Sequence, residues 1–144
     1  MYNFVQKFHS GWAYLALLVL VLVVVNSVLG MTSKKEFTAK DRKIALFGLI
    51  ATHIQLLVGL LLYFISEVGI KAFSIEGAMK VSALRLTMLE HPLTNIIAIV
   101  LITIGWSKHK KGITSEAKFK SIAIFYGLGM VLILSRIPWK LWLK

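Results

Sequence analysis

Cysteine is absent from this chain of 144 residues, and acidic residues are scarce. Without a thiol the chain forms no disulfide, offers no thiolate metal ligand and attaches no c-type haem by the usual covalent bonds. Only 6 residues are acidic against 17 lysines and arginines, so the formal net charge is +11. The basic residues lie between apolar runs too long for a soluble domain, where loop and lipid-headgroup contacts account for them. We therefore exclude nucleic acid as a partner.

Apolar residues are abundant: they make up 58% of the chain, and its mean hydropathy is +0.79. They form four runs, at about residues 10–31, 44–66, 90–107 and 119–142. A helix of about 20 residues crosses a bilayer core of about 30 Å, so each run predicts a transmembrane helix. The first run exceeds the apolar core of a signal peptide, and we expect it to be retained. The sequence predicts an all-α integral membrane four-helix bundle, a single domain over residues 1–144.

The basic residues are distributed unevenly between the two predicted sides of the membrane. The first and third connections, residues 32–43 and 108–120, carry ten of them, and the other side carries seven. The side with more lysine and arginine is usually cytoplasmic, which predicts both termini outside. Together these features predict a protein of the lipid bilayer, in a bacterial inner membrane.

Pro92 is one of only two prolines and stands where the third apolar run begins. Proline is tolerated in the first turn of a helix, where its missing N–H would be unpaired anyway. One interpretation is a helix that begins near Glu90 or His91 and runs to about Trp106. The other is a helix that begins earlier and kinks at Pro92.

Three of the four histidines lie in or at the mouth of predicted membrane helices, where ionisable groups are costly and often functional. His9 and His91 open the first and third runs at the same outer face. His53 lies near the midplane, roughly 15 Å deeper at about 1.5 Å per residue. One metal can therefore take His9 and His91 from facing helices, but not His53 as well. His109, in a lysine-rich loop, is predicted to be solvated.

His9 and His91 are predicted to lie at the same depth in a helical membrane bundle. Two imidazoles in that arrangement indicate a b-type haem held by both. The haem propionates need cationic partners, and three cations lie near the same face: Lys7, Arg85 and Arg136. Arginine suits a carboxylate because its planar fork binds both oxygens. Gly11, two residues after His9, has no side chain and is expected to admit a flat ring close to the backbone.

Each of these residues also has a simpler interpretation. A histidine at a helix mouth is often only an interfacial polar group, and Arg85 can pair with Glu90 while Arg136 extends to the headgroups. His53 can join neighbouring polar residues in hydrogen bonds between helices, as can Asn26 and Asn95, and the glycines can permit close packing. Under these interpretations the chain is a cofactor-free accessory subunit of a larger membrane complex. A third possibility is a quinone-binding or transport module around His53.

Three short motifs resemble one four-helix half of haem A synthase. They are His9-Ser-Gly-Trp-Ala-Tyr, then Gln55-Leu-Leu-Val-Gly59, then Leu84-Arg85-Leu86 followed by His91. The resemblance follows motif order over about residues 4–107, and the chain is also similar to short cytochrome b-like membrane proteins. It implies haem ligation by His9 and His91. Since only one half is present, it does not imply the two-site chemistry of the synthase.

The function expected from the sequence is electron transfer by bis-histidine haem b near the outer face. Such a protein would serve as a subunit of a respiratory or other membrane complex, or as a homo-oligomer. The protein would supply ligation, carboxylate anchoring and a dry pocket, and the redox chemistry would belong to the haem.

Overall fold

The computed structural model of the chain describes residues 1–143, which are almost entirely helical and contain no strand. Four long helices carry the fold, and two single-turn α-helices accompany them. In chain order they are α1 (Tyr2–Thr32), α2 (Ala39–Ile65), α3 (Ser82–Arg85), α4 (His91–Lys111), α5 (Ser115–Ser135) and α6 (Trp139–Trp142). Between α2 and α4 the chain also makes two 3₁₀ turns, Ile70–Ser74 and Ala78–Lys80, and a π turn, Leu86–Glu90.

The four long helical segments are each long and apolar enough to cross a membrane. They neighbour one another in the cyclic order α1, α2, α4, α5, so that α1 lies diagonally opposite α4. Because successive long helices run in opposite directions, this is an up-down-up-down bundle. We call the end with the connections 33–38 and 112–114 the loop end. The end where α1 and α4 begin and α2 and α5 finish is the terminal end.

The first and fourth helices differ from their predicted bounds. α1 begins at Tyr2 rather than at residue 10, so His9 lies two turns inside the helix. Polar residues interrupt the apolar run there but do not break a helix, and Val5 already packs into the bundle. The helix predicted for the fourth apolar run, α5, was expected to reach residue 142 but ends at Ser135. Pro138 explains the stop, since it lacks an N–H and disfavours helical backbone at the residue before it.

After Pro138 the chain turns back across the terminal end as α6. The indole Nε1 of Trp142 donates a hydrogen bond to the carbonyl of Ser10, 3.1 Å away, and its ring lies 4.6 Å from that of Tyr14. This short helix therefore covers part of α1 rather than extending α5.

The start of α4 combines the two interpretations of Pro92. α4 begins at His91, but helical backbone runs into it from Ser82 through the π turn. Pro92 cannot donate to the carbonyl of Met88 four residues earlier, as an α-helical residue would. The hydroxyl of Tyr63, on α2, donates to that carbonyl instead, at 2.8 Å.

The buried core lies in the half of the bundle nearer the loop end. Tyr126 of α5 is fully buried there and reaches across the bundle to donate to the carbonyl of Ala45, on the diagonally opposite α2, at 2.9 Å. The apolar residues of this core come from all four long helices: Leu20, Val23, Ala45, Ile102, Trp106, Ile122 and Tyr126. The half nearer the terminal end contains a cavity, and the connection over it holds a smaller buried cluster of Ala72, Ala78 and Met88.

Candidate functional site

His9 and His91 face each other across the terminal end, from the diagonally opposite helices α1 and α4. Their ring centroids are 6.2 Å apart and their planes are nearly perpendicular, at 82°. With metal–nitrogen bonds of about 2 Å and about 1 Å from nitrogen to ring centre, two imidazoles trans on one metal have centroids about 6 Å apart; a tetrahedral angle brings them to about 5 Å. The observed separation is compatible with both imidazoles on one metal and also with a plain edge-to-face ring contact. The matched depth expected from the sequence is present.

The surroundings of His91 select one of its two ring nitrogens for ligation. Nδ1 lies 2.9 Å from the backbone carbonyl of Arg136. The side-chain amide nitrogen of Asn95 also lies 3.2 Å from Nδ1. The Arg136 carbonyl is closer and only accepts, so we assign the proton to Nδ1, which leaves the lone pair on Nε2. Metal-ligating histidines usually donate their other N–H in this way, which orients the ring. The side-chain amide of Asn95 also donates to the His91 carbonyl, at 2.6 Å.

His9 is held by α2 but lacks a partner for one ring nitrogen. The side-chain Nε2 of Gln55 donates to the His9 carbonyl at 2.8 Å. One turn later Gly59 lies against the ring: a Cβ there would come within 2.9 Å of His9 Cε1, so only glycine permits this approach. Among residues 1–143, the buried side-chain polar atoms without a hydrogen-bond partner are His9 Nδ1 and Gln55 Oε1.

A cavity of about 230 Å³ extends inward from the two histidines, lined mostly by apolar side chains of all four long helices and α6. At about 30 Å³ per liquid water, this is the space of about eight waters. Its lining includes His9, Gln55, Gly59, His91, Asn95 and Trp142. An apolar cavity with a few convergent polar groups is the usual form of a ligand site.

The cations expected near the site lie at the rim of the terminal end. Arg85 Nε is 3.0 Å from one carboxylate oxygen of Glu90, and Arg136 Nε is 4.0 Å from the other. The pairing of Arg85 with Glu90, one of the interpretations open from the sequence, is therefore present. Lys7 is exposed on α1. Gly11 is also exposed, and a Cβ added there would have no described atom within 4 Å, so it does not face the interior where a haem ring was expected. The glycine that lies against the His9 imidazole is Gly59.

His53 lies on α2, outside the lining of the cavity. Its Nδ1 is 2.7 Å from the carbonyl of Leu49 in its own helix, and its Nε2 is 3.4 Å from the hydroxyl of Thr103 on α4. These contacts agree with the interpretation of His53 as a polar contact between helices.

The prediction that His109 is solvated is wrong. Its side chain is only 2% exposed, at the loop end of the bundle. The rings of Trp106 and Phe37 lie 4.5 and 5.5 Å away, and Nδ1 is hydrogen-bonded to the carbonyl of Trp106. α4 continues to Lys111, beyond the predicted end at residue 107, and the 33–38 connection folds Phe37 over this last turn.

Asp41 is a buried carboxylate that sequence reasoning missed. It lies in the first turn of α2 and is 2% exposed. Its Oδ1 accepts from the Asn26 amide and the Lys35 ammonium, both at 3.0 Å, and its Oδ2 accepts from the Thr38 N–H at 2.9 Å. The available signal was Thr38 followed three residues later by an acid at the start of an apolar run, which resembles a capping box.

Comparisons with protein-family models, curated proteins and solved structures found no match for this chain. Within residues 1–143, no group of three or more histidine, cysteine, aspartate or glutamate side chains is placed to hold a metal ion. The chemistry of the site therefore depends on the two imidazoles, the amides beside them and the cavity.

Proposed function

We propose that this chain is a membrane-embedded b-type cytochrome in which His9 and His91 would hold the iron of a haem. The observation that carries the proposal is the 6.2 Å separation of the two rings across the bundle, which would let both bind one iron. The resemblance of its motifs to haem A synthase stays a prediction, and the proposal rests on the geometry alone.

The residues around the pair fit the proposed group in three respects. The Arg136 carbonyl orients His91 with Nε2 free. Gly59 leaves room for the His9 ring against α2. The cavity beside them is mostly apolar, as a hydrophobic macrocycle requires, but its volume of about 230 Å³ is below the roughly 300–1,000 Å³ of typical ligand pockets, so a haem would extend beyond it. Rim cations are the candidate partners of the haem carboxylates, above all Arg136, which is half exposed and loosely paired.

The chain's own contribution would be binding, orientation and exclusion of water. His9 and His91 would hold the iron, and the apolar lining would keep the site dry. The haem would supply one-electron redox chemistry, with a potential set by the axial imidazoles, their hydrogen bonds and burial. We infer that this site serves electron transfer within a larger membrane complex or a homo-oligomer.

The decisive experiment is a haem stain and a reduced-minus-oxidised spectrum after expression with ample haem, normalised to membrane-inserted protein. Wild type should show a low-spin spectrum. His9→Ala and His91→Ala should each change the spin state and weaken retention, and the double variant should abolish binding. Because both ligands act on one iron, the effects should be strongly non-additive.

His53→Ala is the matched control, since it removes a histidine of the same bundle that lies outside the cavity lining. It should retain haem like wild type. Colourless wild-type protein would overturn the cytochrome proposal. Loss of haem in His53→Ala with retention in His9→Ala would show that the ligand pair is misassigned.

We further propose that both termini and the haem site lie at the outer face of a bacterial inner membrane. The support is the ten basic residues of the first and third connections, which meet at the loop end. Because the chain has no cysteine, single cysteines can report each side. Cysteines at the exposed Ser33 and Thr114 should be shielded from an impermeant thiol reagent in intact cells, and one at Ser74 should label. The reverse pattern would invert the topology.

A cofactor-free accessory subunit is the second candidate. An open apolar groove runs along the outside of the bundle between α1 and α2, lined by residues such as Leu22, Phe47 and Ile50. Such a groove suits packing of another membrane helix, which occurs through close van der Waals contact. Wild-type protein that co-purifies with a stable partner and never binds haem would favour this candidate.

A further inference from the structure

The two proposed ligands differ in what holds their second ring nitrogen. His91 Nδ1 is bonded to the Arg136 carbonyl, whereas His9 Nδ1 is buried without a partner among residues 1–143. A buried polar group without a hydrogen bond is costly, so such atoms need an explanation. Gln55 Oε1, the other buried atom in this condition, belongs to the residue whose amide already contacts the backbone of His9.

We infer that Gln55 is the positioning residue of His9: its side-chain oxygen accepts the Nδ1 proton of His9 when Nε2 ligates iron. This inference rests on the proposed function. Gln55 lines the cavity one turn before Gly59, which lies against the His9 ring, so one face of α2 carries both contacts. The terminal torsion of glutamine is broad, so the amide can turn its oxygen to the ring, at the expense of its present 2.8 Å bond to the His9 carbonyl.

Pairing the two atoms has a chemical consequence beyond burial. An N–H donated at Nδ1 fixes the tautomer that leaves Nε2 free and raises the basicity of the ligating nitrogen. A more basic imidazole stabilises the ferric state over the ferrous state, so the strength of this hydrogen bond should tune the reduction potential. The same role is performed on His91 by a backbone carbonyl, which no side-chain substitution removes.

The test compares Gln55→Leu and Gln55→Glu with wild type in the full-length, haem-loaded protein. Gln55→Leu removes the acceptor, so haem affinity should fall on the order of 10–100-fold and the midpoint potential should rise. Gln55→Glu replaces the amide by a stronger acceptor, so it should retain haem and lower the midpoint potential. The rise in Gln55→Leu carries the test, because a new carboxylate near the iron lowers the potential by its charge alone.

Thr103→Val is the control. Thr103 lies outside the cavity lining, and its hydroxyl donates to the Ile99 carbonyl at 2.8 Å. Its potential and affinity should stay at wild-type values. If Gln55→Leu matches Thr103→Val in both readouts, the inference is overturned while the cytochrome proposal stands. If Gln55→Leu does not insert, an unchanged potential in Gln55→Glu overturns the inference equally. Wild-type protein without haem overturns the proposed function itself.

Discussion

The two ends of this bundle satisfy their buried polar groups very differently. At the loop end, Asp41 is buried but accepts four hydrogen bonds, from Asn26, Lys35 and both the N–H and the hydroxyl of Thr38. At the terminal end, two buried side-chain atoms have no partner within the described part of the chain, and a cavity lies beside them. A fully bonded polar network makes an end rigid, whereas unpaired groups beside a cavity are typical of a site that awaits a ligand.

The loop end is also more tightly packed than the terminal end. The Phe119 ring fills the space over Gly30 at the loop end so closely that a Cβ there would come within 2.5 Å of it. The close approach at Gly59 involves the edge of the His9 ring, which borders the cavity. We therefore expect the loop end to supply most of the stability of the haem-free protein and the terminal end to supply its function.

The largest effect should come from Asp41→Leu. It leaves Asn26, Lys35 and the Thr38 N–H without their acceptor, and removing one partner of a buried pair typically costs about 3–5 kcal/mol. Lys35 is half exposed and can turn to solvent, so we expect about 3 kcal/mol, toward the lower end of that range. Unfolding in mixed micelles, followed by circular dichroism, measures the change.

Glu116→Leu is the control for that substitution, because Glu116 is an exposed carboxylate in the first turn of α5 at the same end. It should change stability by no more than about 0.5 kcal/mol. Equal effects of the two substitutions would show that the Asp41 network does not stabilise the loop end.

The next effect contrasts the histidines of the two ends. His109→Ala empties a tightly packed site between Trp106 and Phe37 and should cost about 2 kcal/mol. His9→Ala in haem-free protein should cost less than about 0.5 kcal/mol, because it also removes a buried polar atom without a partner. The same micellar unfolding assay applies, and a larger loss for His9→Ala would reverse the comparison.

The smallest effect contrasts two glycine substitutions. Gly30→Ala forces a methyl group into the buried Phe119 ring and should cost about 1–2 kcal/mol by overpacking. Gly59→Ala should cost less, under about 1 kcal/mol, since the His9 ring can swing toward the cavity, but it should displace that ring. Gly127→Ala, where nothing described lies within 4 Å, should be neutral or slightly stabilising. Equal losses at Gly30 and Gly59 would indicate that the terminal end is as tightly packed as the loop end.

The depth of each residue in the predicted membrane was predictable, because every helical residue adds about 1.5 Å along the helix axis. That conversion placed His9 and His91 at one level, and the structure brings their rings together. It also separated His53 from them, and His53 contacts Thr103 outside the cavity lining. These predictions needed only the order and spacing of residues in a helix.

Rotation around each helix, and the path of the connections, were not predictable in the same way. Gly11 follows His9 closely in sequence but points outward, while Gly59 from another helix lies against the ring. His109 looked solvated among lysines, yet the 33–38 connection brings Phe37 over it. A few degrees of helix rotation decide which residues face the bundle, and near-uniform apolar helices carry little periodic signal of their orientation.

The four long apolar helices, their approximate limits and the matched depth of two histidines were predictable from residue order, because hydrophobicity and helical rise act along a single chain. The folded bundle was needed to see that α1 and α4 lie diagonally across a cavity, that the Arg136 carbonyl bonds His91 and that Gln55 contacts His9. Those facts depend on which helix faces pack together, and packing is settled by the shapes and hydrogen bonds of residues far apart in the chain.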